Sequence, residues 1–481
     1  MTPHRNRAAS GLFVRLMPRQ LPIALLALLA LALLAPGAAQ ASSKQVMTFE
    51  APFELLDDFQ REPTLDEIQS FGVTRVRALV FWRDFTARPN RKRKPRFNRA
   101  HHTRYPGGTW DRLDRLVASA ARRGIELQLT LTGPVPTWAT KRKRGHLNTP
   151  GAKEFGRWVK AVARRYGDRV DLWSIWNEPN HPEFLKPQYG KRGAPRSPVI
   201  YRKLYRAAEK ALHGVPGGAR DKVLFGETAP IGNQNLVSPL GFLRRATCLN
   251  SDYDKTRGCA KLRIDGYAHH AYTRKQGPTF RHADRDDVSI GALDRLSSAL
   301  DRAARAGVID RNRQIYLTEF GIQSHPDRIA GVGFKRQAEY LAISERIAYA
   351  NPRVVAFSQY LMRDDRPRRG PRIQRYSGFE TGLRTSKGKR KPAYDGFMLP
   401  LAVQRYGDSD VLWGRVRPTT GATKVTIQHK VGRKGRWKRL RLVTTAGVYG
   451  LRAEHRKRQR YRAKWKRPGG RTVTGPPIRA Y

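Results

Sequence analysis

The sequence predicts a (β/α)8 TIM barrel of the α/β class followed by a small all-β sandwich. Eight apolar, β-rich runs recur over about 350 residues, most of them separated by amphipathic helical stretches, which matches this fold in count and length. After about Leu401 the pattern changes to short alternating segments split by Gly, Pro and Thr.

The eight runs are Met47 to Leu56, Thr74 to Phe85, Ile125 to Leu131, Val170 to Trp176, Val223 to Glu227, Ile264 to Tyr272, Gln314 to Phe320 and Val354 to Leu361. Between them, stretches such as "WDRLDRLVASAARRG" (Trp110 to Gly124) place apolar residues at helical spacing and stop at a glycine. A doubly wound open sheet is the alternative, but no glycine-rich phosphate loop follows an early strand. The last helix of the ring is expected over "KPAYDGFMLPLA" (Lys391 to Ala402), so the barrel is assigned to 42–402. The remaining segment, 403–481, carries "VLWGRVRP", "KVTIQHKV", "WKRLRLVTT", "YGLRAEH" and "YRAKWKR", short strands of immunoglobulin-like size. From residue 401 onward there are 22 Lys and Arg against three acids, which suits an accessory module.

Residues 1–41 carry Arg5, Arg7, Arg15 and Arg19 with no acid, then an apolar run from Leu21 to Ala35, then Ala39, Gln40 and Ala41. This is the pattern of a secretory signal peptide, its apolar run shorter than the roughly 20 residues of a spanning helix. The mature chain is therefore expected outside the cytoplasm, secreted, with no transmembrane segment. In that compartment the two cysteines, Cys248 and Cys259, are expected to form one disulfide pinning a surface loop. Zinc would need further ligands close by, and neither a metal site nor a cofactor motif is visible in the sequence.

Formal charge is +55, and it is unevenly spread. Five segments expected to follow strands, 88–104, 140–146, 183–198, 274–287 and 363–375, hold 26 Lys and Arg against six acids. An arginine-rich genome alone would raise the total, but this distribution concentrates positive potential on one end of the barrel and on the β-module. Such a field enriches anionic ligands and weakens with salt. With no nucleic-acid fold signature in an exported chain, the anionic partner expected is an acidic polysaccharide or the cell envelope rather than nucleic acid. Residues 401–481 would then tether the barrel near its substrate.

In a barrel of this kind, catalytic groups come from the carboxyl tips of different strands. "WSIWNEPN" puts Glu178 at the tip of the fourth run, and "YLTEFGIQS" puts Glu319 at the tip of the seventh. Two carboxylates facing each other across a barrel mouth suit glycoside hydrolysis, where one protonates the leaving oxygen and the other attacks the anomeric carbon or activates water. Chemistry alone does not tell the two apart.

Strand four ending in Asn-Glu-Pro and strand seven ending in Thr-Glu-Phe-Gly resemble the clan A glycoside hydrolases, a likeness running over about 45–400 and including "VRALVFW" and "HAY". The resemblance implies a retaining hydrolase of β-glycosidic bonds, with Glu178 as acid/base and Glu319 as nucleophile. It implies that Arg77 hydrogen-bonds the nucleophile, that Asn177 binds the sugar 2-hydroxyl, and that His270 and Tyr272 form the strand-six pair, the tyrosine reaching towards the nucleophile. His269 is adjacent to His270, and both cannot face the lumen. Trp82 and Trp138 fall at strand ends and are candidates for sugar stacking, whereas Trp173 lies inside a strand and reads as packing. Strand eight, "FSQYLMRDD", departs from the family by lacking a tryptophan, and Gln359 and Tyr360 are expected to take that place. The alternative function is a carbohydrate- or envelope-binding protein on a barrel that has lost turnover.

Overall fold

Eight parallel strands close into a barrel in sequence order in this computed structural model, which describes residues 45–481 apart from 257, 372, 377 and 420. The expected signal peptide lies outside the described residues. The strands are β1 Val46–Glu50, β2 Arg75–Phe81, β3 Glu126–Thr132, β4 Leu172–Ile175, β5 Lys222–Thr228, β6 Gly266–His269, β7 Ile315–Leu317 and β8 Val354–Tyr360. Closure is made by β8 returning beside β1, with Val46 opposite Ala356 and Glu50 opposite Tyr360.

One main helix follows each strand: α1 Arg61–Ser70, α2 Asp111–Arg122, α3 Ala152–Tyr166, α4 Ser197–His213, α5 Pro239–Ala246, α6 Leu293–Arg305, α7 Phe334–Ala350 and α8 Pro392–Met398. Helix α2 shows why these segments coil: Leu113, Leu116, Val117 and Ala120 recur on one face and are buried, while its arginines stay outside. Gly124 then takes φ +61, a conformation open to glycine without strain, and turns the chain into β3. The strands are covered on both sides, so they read as near-continuous apolar runs such as "RVRALVF". Leu172, Leu224, Ala268, Tyr316 and Ala356 form a separate apolar cluster contributed by β4 to β8, the layered filling expected of a barrel of this size.

The expected helix over 391–402 ends at Met398, and Leu401–Tyr406 is instead a strand, β9. Pro400 explains the early stop, because proline lacks a helix donor and disfavours helical geometry in the residue before it. Two antiparallel sheets follow from β9, β10 Ser409–Arg415, β11 Thr423–Val431, β12 Lys438–Thr445, β13 Val448–Glu454, β14 Gln459–Lys466 and β15 Thr472–Thr474. Their orders are β13-β10-β9 and β12-β11-β14-β15. Val403, Leu412, Val425, Ile427, Tyr461 and Trp465 are buried in the core, and the Tyr461 hydroxyl donates to Asp410 at 2.7 Å, joining the two sheets.

The β-domain is fastened to the barrel by buried charge. Glu345 on α7 is 3% exposed and accepts from Arg417 and, at 3.3 Å, from Arg415. Cys248 and Cys259 are disulfide-bonded in the loop after α5. Among the described residues no helix is long and apolar enough to cross a membrane.

Candidate active site

The carboxyl ends of the strands gather an ionic cluster around one arginine. Arg77, in the middle of β2, is fully buried and uses every nitrogen. Its Nε donates to Thr130 (3.0 Å) and Glu227 (3.2 Å), one terminal nitrogen to Glu50 (2.5 Å) and Glu319 (3.1 Å), and the other to Asn177 (2.7 Å) and Glu227 (2.7 Å). Burial opposes its charge, but Glu227, Glu50 and Glu319 outweigh that and hold the guanidinium protonated. The planar fork suits this task because it serves several carboxylates in fixed directions.

Glu319 follows β7 and receives the Tyr272 hydroxyl at 2.7 Å as well as Arg77. Burial pushes its carboxyl up, while His270, Arg77 and the Tyr272 hydrogen bond pull harder in the other direction, so the net shift is downward and the group is ionised. Glu178, beyond β4, is the more open of the pair: its side chain is 14% exposed and meets His270 Nδ1 at 2.9 Å. His270 also lies 3.8 Å from Glu319, and carboxyl oxygens of Glu178 and Glu319 together with a ring nitrogen of His270 all fall within 4.8 Å of one another. Three such ligands at this spacing resemble a cation site, but the Arg77 guanidinium already faces Glu319 at 3.1 Å. Burial opposes protonation of His270, and the two glutamates reverse this and raise its pKa.

The adjacent His269 shows the opposite environment. It is turned away from the carboxylates, bonded to Thr228 (2.9 Å) and the Val288 carbonyl (2.7 Å), and burial lowers its pKa to about 4. One residue of strand alternation thus separates a packing histidine, its pKa lowered by burial, from a site histidine whose pKa the glutamates raise.

Asn177 presents its carbonyl oxygen to Arg77, which leaves its amide NH2 for another acceptor. The backbone is bent to make these presentations: Trp176, Glu178 and Glu227 have φ of +68, +37 and +49, in the left-handed region that side chains rarely adopt. The Glu178 N–H donates to the Glu227 carbonyl at 3.0 Å, locking the tips of β4 and β5 together. Beside Glu178 a cavity of about 350 Å³ is lined by His181, Asn233, Tyr272, Arg274 and His282.

Of the aromatic candidates, Tyr360 ends β8 opposite Glu50, its ring edge-on to Phe379 at 4.9 Å. Burial and then Glu319 raise its pKa. Gln359 faces elsewhere: it is 2% exposed, and its amide is spent on the Leu361 and Thr381 carbonyls, both at 3.2 Å. Trp82 and Trp138 make no hydrogen bond to the carboxylate cluster and pack edge to face at 5.7 Å, Trp82 also stacking on Trp158 at 5.8 Å. Trp173 is packing, with its N–H on Asp221 at 2.8 Å.

Two residues of the cluster escaped the sequence reading, Glu50 and Glu227. Both stand at strand tips, in "TFEAP" and "FGETAP", so an acid ending an apolar strand was the available signal. Burial pushes Glu50 up to about 8, only partly offset by Arg77.

No family model matches the chain. A family 39 glycoside hydrolase from the gut symbiont Bacteroides cellulosilyticus WH2 superimposes with a TM-score of 0.53 at 15% identity, covering 87% of this chain and 80% of that one. A monomeric beta-xylosidase from Caulobacter crescentus CB15 superimposes more loosely, at a TM-score of 0.47 and 14% identity over 87% and 94% of the two chains. In sequence, Beta-glucosidase 47 of Arabidopsis thaliana is 29% identical over 127 residues, 26% of this chain. That match spans 22% of the relative's length. At this level of identity the likeness establishes the fold alone, a TIM barrel carrying an additional β-domain.

Proposed function

We propose that the protein is a retaining glycoside hydrolase acting on β-glycosidic bonds of an oligo- or polysaccharide. The observation that carries this reading is the proximity of Glu178 and Glu319, with carboxyl oxygens within 4.8 Å on the tips of strands four and seven. Retaining enzymes hold their carboxyl groups about 5–5.5 Å apart, whereas inverting ones leave about 6.5–9.5 Å for a water.

The environments divide the roles. Glu319, ionised between Arg77 and Tyr272, attacks the anomeric carbon and forms a glycosyl ester as the bond to the leaving oxygen breaks. Glu178, open to the cavity and joined to His270, protonates that oxygen. It then takes a proton from the water that attacks the ester, which restores the Glu319 carboxylate. The free amide of Asn177 serves the sugar 2-hydroxyl, a hydrogen bond that strengthens in the transition state.

Export of the protein rests on the signal-like 1–41 segment, and the Cys248–Cys259 bond agrees with an oxidising compartment. For the anionic partner, support comes from the four-stranded sheet: β11, β12, β14 and β15 carry nine Lys and Arg and no acid. On β14, Arg460, Arg462, Lys464 and Lys466 alternate with buried Gln459, Tyr461, Ala463 and Trp465, forming a cationic outer row for an acidic polysaccharide or envelope polymer.

Incubation with a panel of aryl β-glycosides and plant or microbial polysaccharides tests the reading. Release of sugar from at least one substrate, abolished in Glu319→Ala, is expected. No release from any, with polysaccharide binding retained, would favour a non-catalytic binding protein.

A further inference from the structure

A second cavity of about 400 Å³ lies among the loops after β2 and β3, and it shares no residue with the carboxylate cluster or with the cavity beside Glu178. Its size falls within the range of small-ligand sites. Trp82, Phe97, Tyr105 and Trp138 contribute aromatic surface, with Phe97 and Tyr105 packed edge to face at 4.9 Å. Trp82 and Trp138 are buried at the back of the cavity, 2% and 7% exposed, and Phe97 and Tyr105 are the half-buried aromatics of its lining.

The charge around this cavity is uncompensated. Of the six cationic residues lining it, Arg99 and Lys94 pair with Glu154 at 2.8 and 3.3 Å. Arg88, Arg91, Arg93 and Arg96 meet no carboxylate among the described residues. The loop bearing them is nonetheless fixed: Arg99 donates to the carbonyls of Pro95 (2.8 Å) and Phe97 (2.7 Å), the Tyr105 hydroxyl to the carbonyl of Arg99 (2.9 Å), and the Thr137 N–H to that of Pro89 (2.8 Å). Four free guanidinium groups on an internally braced loop form a cationic rim suited to a carboxylate, and Phe97 and Tyr105 offer apolar surface to a sugar ring.

Building on the glycosidase reading, we infer that this cavity is a distal subsite for a uronate unit of an acidic glycan. The carboxylate lies in the forks of Arg88, Arg91, Arg93 and Arg96, and the ring stacks against Phe97 and Tyr105. Position at the same end of the barrel as the carboxylate pair lets one chain engage both places, so the subsite selects acidic polymers without taking part in bond cleavage.

The test uses the full-length protein and two oligosaccharides of equal length and linkage, a β-1,4-linked tetraglucuronide and cellotetraose, with binding measured by calorimetry at low salt. The tetraglucuronide is expected to bind the wild type more tightly. The double variant Arg93→Gln/Arg96→Gln is expected to weaken it by about tenfold, roughly the loss of one charge-assisted contact, while cellotetraose is unaffected. Turnover of a small aryl β-glycoside, which reports the Glu178–Glu319 pair alone, should match wild type in the double variant. Equal affinity for the two oligosaccharides in the wild type, or undiminished tetraglucuronide binding in the variant, overturns the subsite. Failure of the aryl glycoside to turn over in the wild type instead counts against the glycosidase reading, independently of the binding result.

Discussion

Two groups of charge at the same end of the barrel are organised in opposite ways. Under the mouth, Arg77 is fully buried and serves Glu50, Glu227, Glu319 and Asn177 at once. In the loop after β2, four arginines are exposed and meet no acid among the described residues. Buried charges are little screened and must be satisfied by their neighbours, so the first group fixes geometry. Exposed charges interact through water and salt, so the second group recruits partners and does little for the fold.

The largest effects are expected in the buried group. Glu319→Ala should lower turnover by on the order of 10⁴-fold or more on every substrate, the scale of removing a nucleophile. Glu178→Ala should cost about 10²–10⁴-fold on substrates with poor leaving groups but little on activated aryl glycosides, where proton donation matters least. Steady-state kinetics on the two substrate types checks this, and equal loss on both in Glu178→Ala would count against its acid/base role.

Next comes Arg77→Met. It leaves the buried side chains of Glu50, Glu227 and Glu319 gathered without their cation and is expected to destabilise the fold by about 3–5 kcal/mol, the range for breaking a buried ion pair. Urea unfolding measures it, and a change below about 1 kcal/mol, the scale of an exposed pair, would mean that the cluster behaves like the surface group.

A gentler effect is a slope with pH. Glu50 has its folded pKa raised by burial from 4.5 to about 8, so the folded state retains a proton that the unfolded chain has lost. The stability it contributes is fully present below pH 4.5 and is lost as pH rises to about 8, where folded Glu50 ionises too. Glu380, also raised to about 8 by burial, has the same sign. Thermal unfolding of Glu50→Gln should therefore show a shallower decline over this window than wild type. An unchanged slope would remove Glu50 as its source.

The smallest effect belongs to the outer face of the β-domain. Arg462→Gln with Lys464→Gln should leave turnover of small substrates unchanged and weaken co-sedimentation with acidic polysaccharide at low salt. The difference should vanish near 1 M salt, where the screening length is about 3 Å. Point substitution suits this test better than cutting the chain near 403, because removing the domain would leave Glu345 without Arg415 and Arg417. A difference that persists at high salt would argue against electrostatic binding.

How much of this was legible in the sequence followed the range of each signal. The eight strands were readable because periodicity is local, and Glu178 and Glu319 because an acid ending an apolar strand conflicts with burial. Glu50 and Glu227 carried the same conflict, but their partner, Arg77, is 27 and 150 residues away, and only barrel closure brings the three together. The helix forecast to Ala402 failed because Pro400 broke it, and pairing with β10 then claimed Leu401–Tyr406. Trp82 and Trp138 were visible as strand-end aromatics, but their membership of a separate cavity depends on the fold of the loop between β2 and α2.

The central claim, double displacement by Glu319 and Glu178, is tested most directly by the configuration of the first sugar released. Proton NMR of an aryl β-glycoside reaction, recorded before mutarotation, should show the β-anomer appearing first and the α-anomer only later. An α-anomer as first product would mean inversion and would contradict the assignment of Glu319 as nucleophile.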